Sequence, residues 1–283
     1  MKTKRLSVIL TIPLVLFTLF FILGPLVYLV VLSFSTNKGV TGVEFIFTFS
    51  NYIKVFDGIF KKILIDSVIL GLLTTFLVAL LGYPFGYFLA RCGKKEKEII
   101  NALLMIPFWV SSLLRLYGWI VIFRSNGILD KVLMFLKITD APLKLLYTRN
   151  ATIVGMVYAL LPFMIFSVYS SAEKLDWSLV EASRDLGATA FQSFKDISFK
   201  LTLSGLFSGV ILTFIPSMGL VFIAELLGGN KVVLVGNLIS EQATTAHNLP
   251  FATALAVILM LITGIFMIIY RKIFKLKDLE GLM

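Results

Sequence analysis

The sequence predicts an all-α integral membrane protein, six transmembrane helices in one domain over residues 1–283 with a polar helix-turn-helix between the fourth and fifth. Three observations carry this. The 283-residue chain is 58% hydrophobic and only 15% charged, whereas soluble domains hold about a quarter charged residues. Stretches free of Asp, Glu, Lys and Arg cover 6–37, 67–90, 150–172, 201–224 and 242–270, and a sixth, 99–123, is interrupted only by Arg115. Each exceeds the roughly 20 residues a helix needs to cross the hydrocarbon. Between the fourth and fifth spans lies 173–200, EKLDWSLVEASRDLGATAFQSFKDISFK, a long segment of mixed charge.

The spans are expected at about 7–33, 66–90, 99–123, 150–172, 201–224 and 250–270. An even number of crossings puts both termini on one side, and basic residues choose which. Segments on the terminal side hold 15 Lys and Arg in 57 residues, those on the other side 10 in 82. Both termini and 173–200 are therefore expected in the cytoplasm. The first run, behind Lys2, Lys4 and Arg5, is too long for a signal-peptide core and lacks a small-residue cleavage site, so it is read as a retained span. Gly24-Pro25 should bend it near its outer end. The outer loop that follows contains Asn51-Tyr52 and a basic amphipathic stretch, 54–62, suited to lying on the surface.

Asp66 stands at the mouth of the second span, where Pro84 sits between Gly82 and Gly86, small residues that let another helix approach. The third span contains PFWVSSLLRLYGW, 107–119. Pro107 loosens the helix there, and Ser111 and Ser112 place hydroxyls at membrane depth. Arg115 is expected to snorkel to the interface rather than incur the roughly 2.5–3.5 kcal/mol of a mid-membrane charge. Trp109, Tyr117 and Trp119 read as interfacial or core aromatics. In the loop after 124, Leu129, Val132, Leu133 and Leu136 share one face of a short helix. Tyr158 and Leu161-Pro162 mark the fourth span and Pro216 the fifth, which Glu225 ends before Gly228-Gly229 breaks the helix. The apolar stretch 234–239 is suited to re-entering the membrane or capping its outer opening, and RKIFKLK follows the sixth span.

The polar segment is punctuated twice. Ser178 and Glu181 have capping-box spacing, so a helix should begin near Ser178. Leu179, Ala182, Ser183 and Leu186 then form one small, weakly apolar face with Arg184 and Asp185 beside it. Gly187 ends this helix, because glycine accepts the left-handed conformation common at helix C-termini. Thr189 and Gln192 repeat the capping box, opening a second helix that runs toward Leu201.

Several function classes are excluded by composition. Cys92 is the only cysteine and His247 the only histidine, so the chain can form no intrachain disulfide, and no zinc site or histidine-based triad is expected. The net charge of +10 lies in the membrane-flanking segments and reads as orientation and attraction to lipid, not nucleic-acid binding. There is no phosphate-binding glycine loop, so any ATP must be used by another chain.

Glu181-Ala182-Ser183, then Gly187 and Ile197, resemble the EAA loop of the membrane subunits of ABC importers. The family pattern has alanine where Ser183 stands and Leu-Pro where Phe199 and Lys200 stand. GYPFGYFLAR, PFWVSSLLRLYGW, the MGL and GG around 218–229 and VGN at 235–237 are similar to permeases of spermidine/putrescine importers. The resemblance implies a type I ABC importer permease fold and a non-catalytic subunit in the bacterial inner membrane. It implies as partners two copies of an ATPase that binds ATP and Mg, a second permease chain and an external polyamine-binding protein. The coupling residues would be Glu181, Ala182, Ser183, Arg184, Asp185 and Gly187. A polyamine needs carboxylates and aromatic faces, which makes Asp66, Trp109, Tyr117, Tyr158 and Glu225 candidates for its path. The outer segments hold more basic than acidic residues, so capture would fall to the binding protein. An ABC permease for an iron chelate, sulfate or another amine remains an alternative. A secondary transporter, which would need intramembrane acids, is a more distant one.

Overall fold

The structure, a computed structural model, describes residues 13, 15–39 and 42–273. Lys2, Lys4 and Arg5, and the end of RKIFKLK, lie outside the described residues. Among these, five helices are long and apolar enough to cross a membrane: α1 (Val15–Ser33), α3 (Gly58–Arg91), α7 (Arg149–Ala172), α9 (Ala190–Ser217) and α12 (Leu249–Ile273). A sixth crossing results if α4 (Lys94–Trp109) and the stretch that α5 (Ser112–Phe123) opens count as one span; the bend between Lys94–Trp109 and Ser112–Phe135 is 94°. Shorter helices are α2 (Ser50–Val55), α6 (Ile128–Phe135), α8 (Trp177–Asp185), α10 (residues 221–228) and α11 (Val235–Thr244). The described residues fall into two compact units, one from the stretches up to 62 and over 238–268, the other from 63–237 and 269–273.

In the first unit, α1 runs on through Gly24-Pro25. Proline supplies no N–H and its ring crowds the preceding turn. A π-helical turn, Thr18–Leu23, accommodates this, and Gly24 donates to the Leu19 carbonyl. After α1, strands β1 (Thr36–Asn37) and β2 (Val43–Glu44) pair antiparallel. The Phe34 ring packs 5.1 Å from Phe47, 5.4 Å from Phe49 and 5.0 Å from Tyr52. Asn51, 5% exposed, donates through Nδ2 to the carbonyls of Ser33 at 3.0 Å and Ser35 at 2.9 Å. Asn51→Ala is therefore expected to lower stability by about 1–3 kcal/mol, because two buried acceptors lose their donor. A thermal melt of the purified protein in detergent measures it, and an unchanged midpoint would show that the contact carries no stability.

The surface stretch expected at 54–62 is instead split between α2 and the start of α3. Helix α3 has 34 residues, about 51 Å at 1.5 Å per residue, well beyond the ~30 Å hydrocarbon.

The core of the second unit is the packing of α3, α7 and α9, and small residues make it possible. A Cβ on Gly205 would lie 2.7 Å from the Ser167 carbonyl oxygen, and one on Gly86 2.7 Å from that of Ile165. The Ser167 hydroxyl donates to the Gly205 carbonyl at 2.8 Å, and Ser171 and Ser204 hydroxyls meet at 3.0 Å. Buried Thr202, Thr213 and Ser217 donate to carbonyls of their own helix at 2.7, 2.9 and 2.6 Å, so these three hydroxyl protons are matched in an apolar surround. Helix α6 contains Leu129, Val132 and Leu133 as the spacing predicts, with Leu136 at its C-cap. It also carries the buried Asp130, whose carboxylate accepts from the N–H groups of Asn126 at 2.8 Å and Leu143 at 3.0 Å. That carboxylate holds the loop.

Two breaks fall where the sequence predicts continuous spans. Val110 and Ser111 are extended, with ψ of 137° and 135°, so the third run is two helices. The fifth helix starts at Ala190 and ends at Ser217, just after Pro216, before Glu225 is reached. The stretch 234–239, expected to re-enter or cap the opening, forms the start of α11 and closes on this second break. Gly236 lies so near Gly219 that an added Cβ would sit 3.1 Å from the Gly219 Cα. Asn237 Nδ2 donates to the Val221 carbonyl at 3.2 Å and to Glu225 Oε1 at 3.1 Å.

Candidate functional site

Helix α8 opens two residues earlier than the Ser178–Glu181 spacing predicts. Asp176 is the N-cap, and its Oδ1 accepts from the Ser178 N–H at 3.0 Å. An ionised carboxylate meets the unpaired N–H groups and the positive end of the helix dipole together, which a serine hydroxyl does only in part. The Ser178 hydroxyl, and then its N–H, hold the Asp176 carboxyl below its ordinary range. A carboxyl depressed on folding contributes its stabilisation above the unfolded value and loses it as pH falls through the folded one, so the cap is intact at neutral pH.

The glycine corner is as the sequence predicts. Gly187 has φ of +91°. Its N–H donates to the Arg184 carbonyl at 3.0 Å, and the Ala188 N–H to that of Ser183 at 3.1 Å, the two bonds of a Schellman C-cap. Thr189 and Gln192 form the reciprocal capping box: the Gln192 N–H donates to Thr189 Oγ1 at 3.3 Å and the Thr189 N–H to Gln192 Oε1 at 2.8 Å. From Ala190 the helix continues to Ser217, with a π-helical stretch over Phe194–Ser198. Phe199 and Lys200, standing where the resembling family has Leu-Pro, allow this. Phe199 packs 5.6 Å from Tyr83, and Lys200 pairs with Asp196 one turn back at 3.2 Å.

Glu181, Ala182, Arg184, Asp185 and Gly187 are exposed and Ser183 is half-buried. Beside them Leu179, Leu186 and Phe191 are uncovered, Leu186 to 89%. The opposite side of the segment is anchored. The Ser193 hydroxyl donates to the Val180 carbonyl at 3.3 Å, Tyr87 donates to Ser198 Oγ at 2.9 Å, and the Arg91 guanidinium lies 5.2 Å above the Trp177 ring. A cleft of about 430 Å³ behind α8 is lined by Arg91, Lys97, Trp177, Glu181 and Arg184.

A second feature is an apolar cavity of about 480 Å³ where both helix breaks meet, lined by Phe108, Ser112, Arg115, Tyr158, Phe163 and Gly219 among others. Arg115, expected to snorkel, lies in this cavity against two aromatic rings. Its guanidinium lies 5.5 Å from the Phe108 ring centroid and 6.0 Å from that of Tyr158. Of the five candidate path residues the cavity takes in Tyr158 alone. Trp109 is 84% exposed and Tyr117 54%, both outside its wall. Asp66 lines a different pocket of about 340 Å³ with Tyr147, Arg149 and Lys231, and exposed Glu225 is held by Asn237. The signal that could have found the cavity is the coincidence of Pro107 and Pro216 with small polar neighbours, Ser111-Ser112 and Ser217.

A multi-pass helical membrane protein with two broken spans and a capped, glycine-cornered helix pair continuous with a span is the architecture of a type I importer permease. Residues 82–276 match the profile of the binding-protein-dependent transport system inner membrane component family, and the chain belongs to that family. It is 35% identical over 277 residues, 98% of this chain and 96% of the relative, to the spermidine/putrescine transport system permease protein PotB of Salmonella typhimurium strain LT2. It is 37% identical over 260 residues, 92% and 91%, to PotB of Haemophilus influenzae. Among solved structures, a chain of the bacterial alginate ABC transporter in complex with an alginate pentasaccharide-bound periplasmic protein superposes with a TM-score of 0.73 at 15% identity, covering 96% and 94%. A chain of the MetNI methionine ABC transporter gives 0.56 at 19%, covering 74% and 92%. These two share the fold.

Proposed function

We propose that the chain is one of two permease subunits of an ATP-driven polyamine importer, with spermidine or putrescine as cargo. The observation that carries this is the similarity to spermidine/putrescine permeases along nearly the whole chain. The subunit does no bond chemistry and binds no cofactor. ATP and Mg are bound by two copies of a partner ATPase, and cargo arrives on an external binding protein. The protein resides in the bacterial inner membrane with both termini and 173–200 in the cytoplasm, as the basic-residue bias indicates.

Coupling runs through α8 and the start of α9. The uncovered Leu179, Leu186 and Phe191 give an ATPase an apolar edge, and Glu181, Arg184 and Asp185 flank it with charge. Because α9 runs from Ala190 to Ser217, through a π-helical stretch at Phe194–Ser198, a push on the corner is carried along a membrane span to the break after Ser217. Tyr158, beside the cavity, offers the cargo an aromatic face; Asp66, Trp109, Tyr117 and Glu225 would meet it only elsewhere on the path.

The test is uptake of labelled spermidine, putrescine, ferric chelate and sulfate by cells with and without the chain, with ATP depletion as control. ATP-dependent loss of polyamine uptake alone supports the reading. Arg115 in the cavity would by itself suit an anion, and loss of sulfate uptake in place of polyamine uptake would replace the cargo assignment while keeping the importer.

A further inference from the structure

Arg115 is the one Asp, Glu, Lys or Arg within the six apolar runs, and the cavity around it contains no carboxylate. Its Nε is buried and has no hydrogen-bond partner. Two aromatic faces, Phe108 and Tyr158, hold the guanidinium where it is. They stabilise a cation without neutralising it. The rim of the cavity is uncovered apolar surface: Phe108 is 38% exposed, Phe163 41%, Leu212 49% and Phe222 56%. Hydrocarbon could cover these side chains but offers a guanidinium no counter-ion, and a polyamine would repel it. A charge at membrane depth pairs with an opposite charge or faces water.

We propose that this rim is the seat of the second permease chain and that a carboxylate from one of that chain's spans enters the cavity to pair with Arg115. The pairing rests on the two-permease reading above. Planar, five-donor geometry suits the guanidinium to a bidentate carboxylate, and Nε is one of the donors such a fork uses. The same carboxylate would otherwise attract an ammonium group of the cargo. Arg115 thus occupies, in the closed and empty path, an acid that a passing polyamine would bind.

The test uses the intact complex of both permeases and the ATPase in detergent. Each Asp and Glu within the spans of the second chain is changed to its amide, alone and together with Arg115→Gln, and thermal midpoints are compared. Arg115→Gln should lower the midpoint by roughly 5 °C or more, since removing one member leaves the other buried and unpaired. One acid variant should do likewise, and the double variant should recover most of the loss. Arg115→Lys, which keeps the charge, should still couple to that acid and covers the case in which Arg115→Gln does not accumulate. Additive effects at every acid, or an Arg115→Gln complex that melts like the wild type, would overturn the pairing and leave the guanidinium to path water. Stabilisation of the wild type by sulfate without coupling to any acid would assign the cavity to an anionic solute and also overturn it. Coupling without polyamine uptake would sink the cargo reading alone, and polyamine uptake without coupling would sink this one alone.

Discussion

Gly187→Val should insert and accumulate normally yet import at least about tenfold less cargo per ATP hydrolysed. Gly187 sits at φ of +91°, and a Cβ built there meets no heavy atom within 4 Å. The penalty is therefore backbone strain alone, on the order of 1–3 kcal/mol for a side chain forced into this region, and greatest for a β-branched one. The chain can escape it only by leaving the left-handed conformation. Doing so breaks the bonds from the Gly187 and Ala188 N–H groups to Arg184 and Ser183 and swings α8 away from the start of α9. Nothing in the packing of the spans is touched, so folding is spared and transmission is lost. Asn tolerates φ above zero, and Gly187→Asn should retain most of the transport. Proteoliposomes containing the full importer give both rates, and a valine variant with wild-type cargo-to-ATP ratio would show that the corner geometry is dispensable.

The corner was legible because a single chemical requirement, a residue free to adopt positive φ, selects glycine almost uniquely. The same holds for Thr189 and Gln192, whose two reciprocal bonds fix their spacing. At the start of α8 two sets of residues met the rule. Ser178 with Glu181 has the capping-box pattern, but Asp176 two residues earlier accepts from the N–H of Ser178 itself, and spacing alone does not rank a charged cap above a neutral one. The spans were legible from length, which the bilayer dictates; their interruptions were not. Apolar residues at 110 and 220 suit a buried helix and a buried extended turn equally, so the breaks at Val110–Ser111 and Gly219–Leu220 leave no trace in hydropathy. Arg115 shows the same limit. A position near a span's end fits snorkelling, but hydropathy gives no sign that the guanidinium lies against the Phe108 and Tyr158 rings. Asp130 reads as a solvated charge on an amphipathic helix, since its two backbone donors come from Asn126 and Leu143, and the latter is brought in only by the tertiary fold.

Gly205→Ala, a change of one methyl group, should lower the stability of the folded protein by roughly 3–5 kcal/mol and reduce its yield. The added carbon would stand 2.5 Å from the Ser171 Cβ, 2.7 Å from the Ser167 carbonyl oxygen and 3.1 Å from the Val168 Cα. Two of these are backbone atoms of α7 and cannot rotate aside, so the helices must separate along their tightest stretch. Separation also pulls apart the Ser167 to Gly205 bond of 2.8 Å and the Ser171 to Ser204 bond of 3.0 Å. Forced separation costs roughly 1–3 kcal/mol and the lost bonds about 1 kcal/mol each, against a total stability of only about 5–15 kcal/mol. Gly118 and Gly264 supply the contrast, for a Cβ at either meets nothing within 4 Å. Alanine at Gly118 or Gly264 should be neutral or stabilising by up to about 1 kcal/mol through helix propensity. The yield of monodisperse protein and its melting midpoint in detergent separate the two cases. If Gly205→Ala matched Gly118→Ala in both, close backbone approach would not be what joins α7 to α9, and the coupling proposed to run along α9 would lose its fixed bearing.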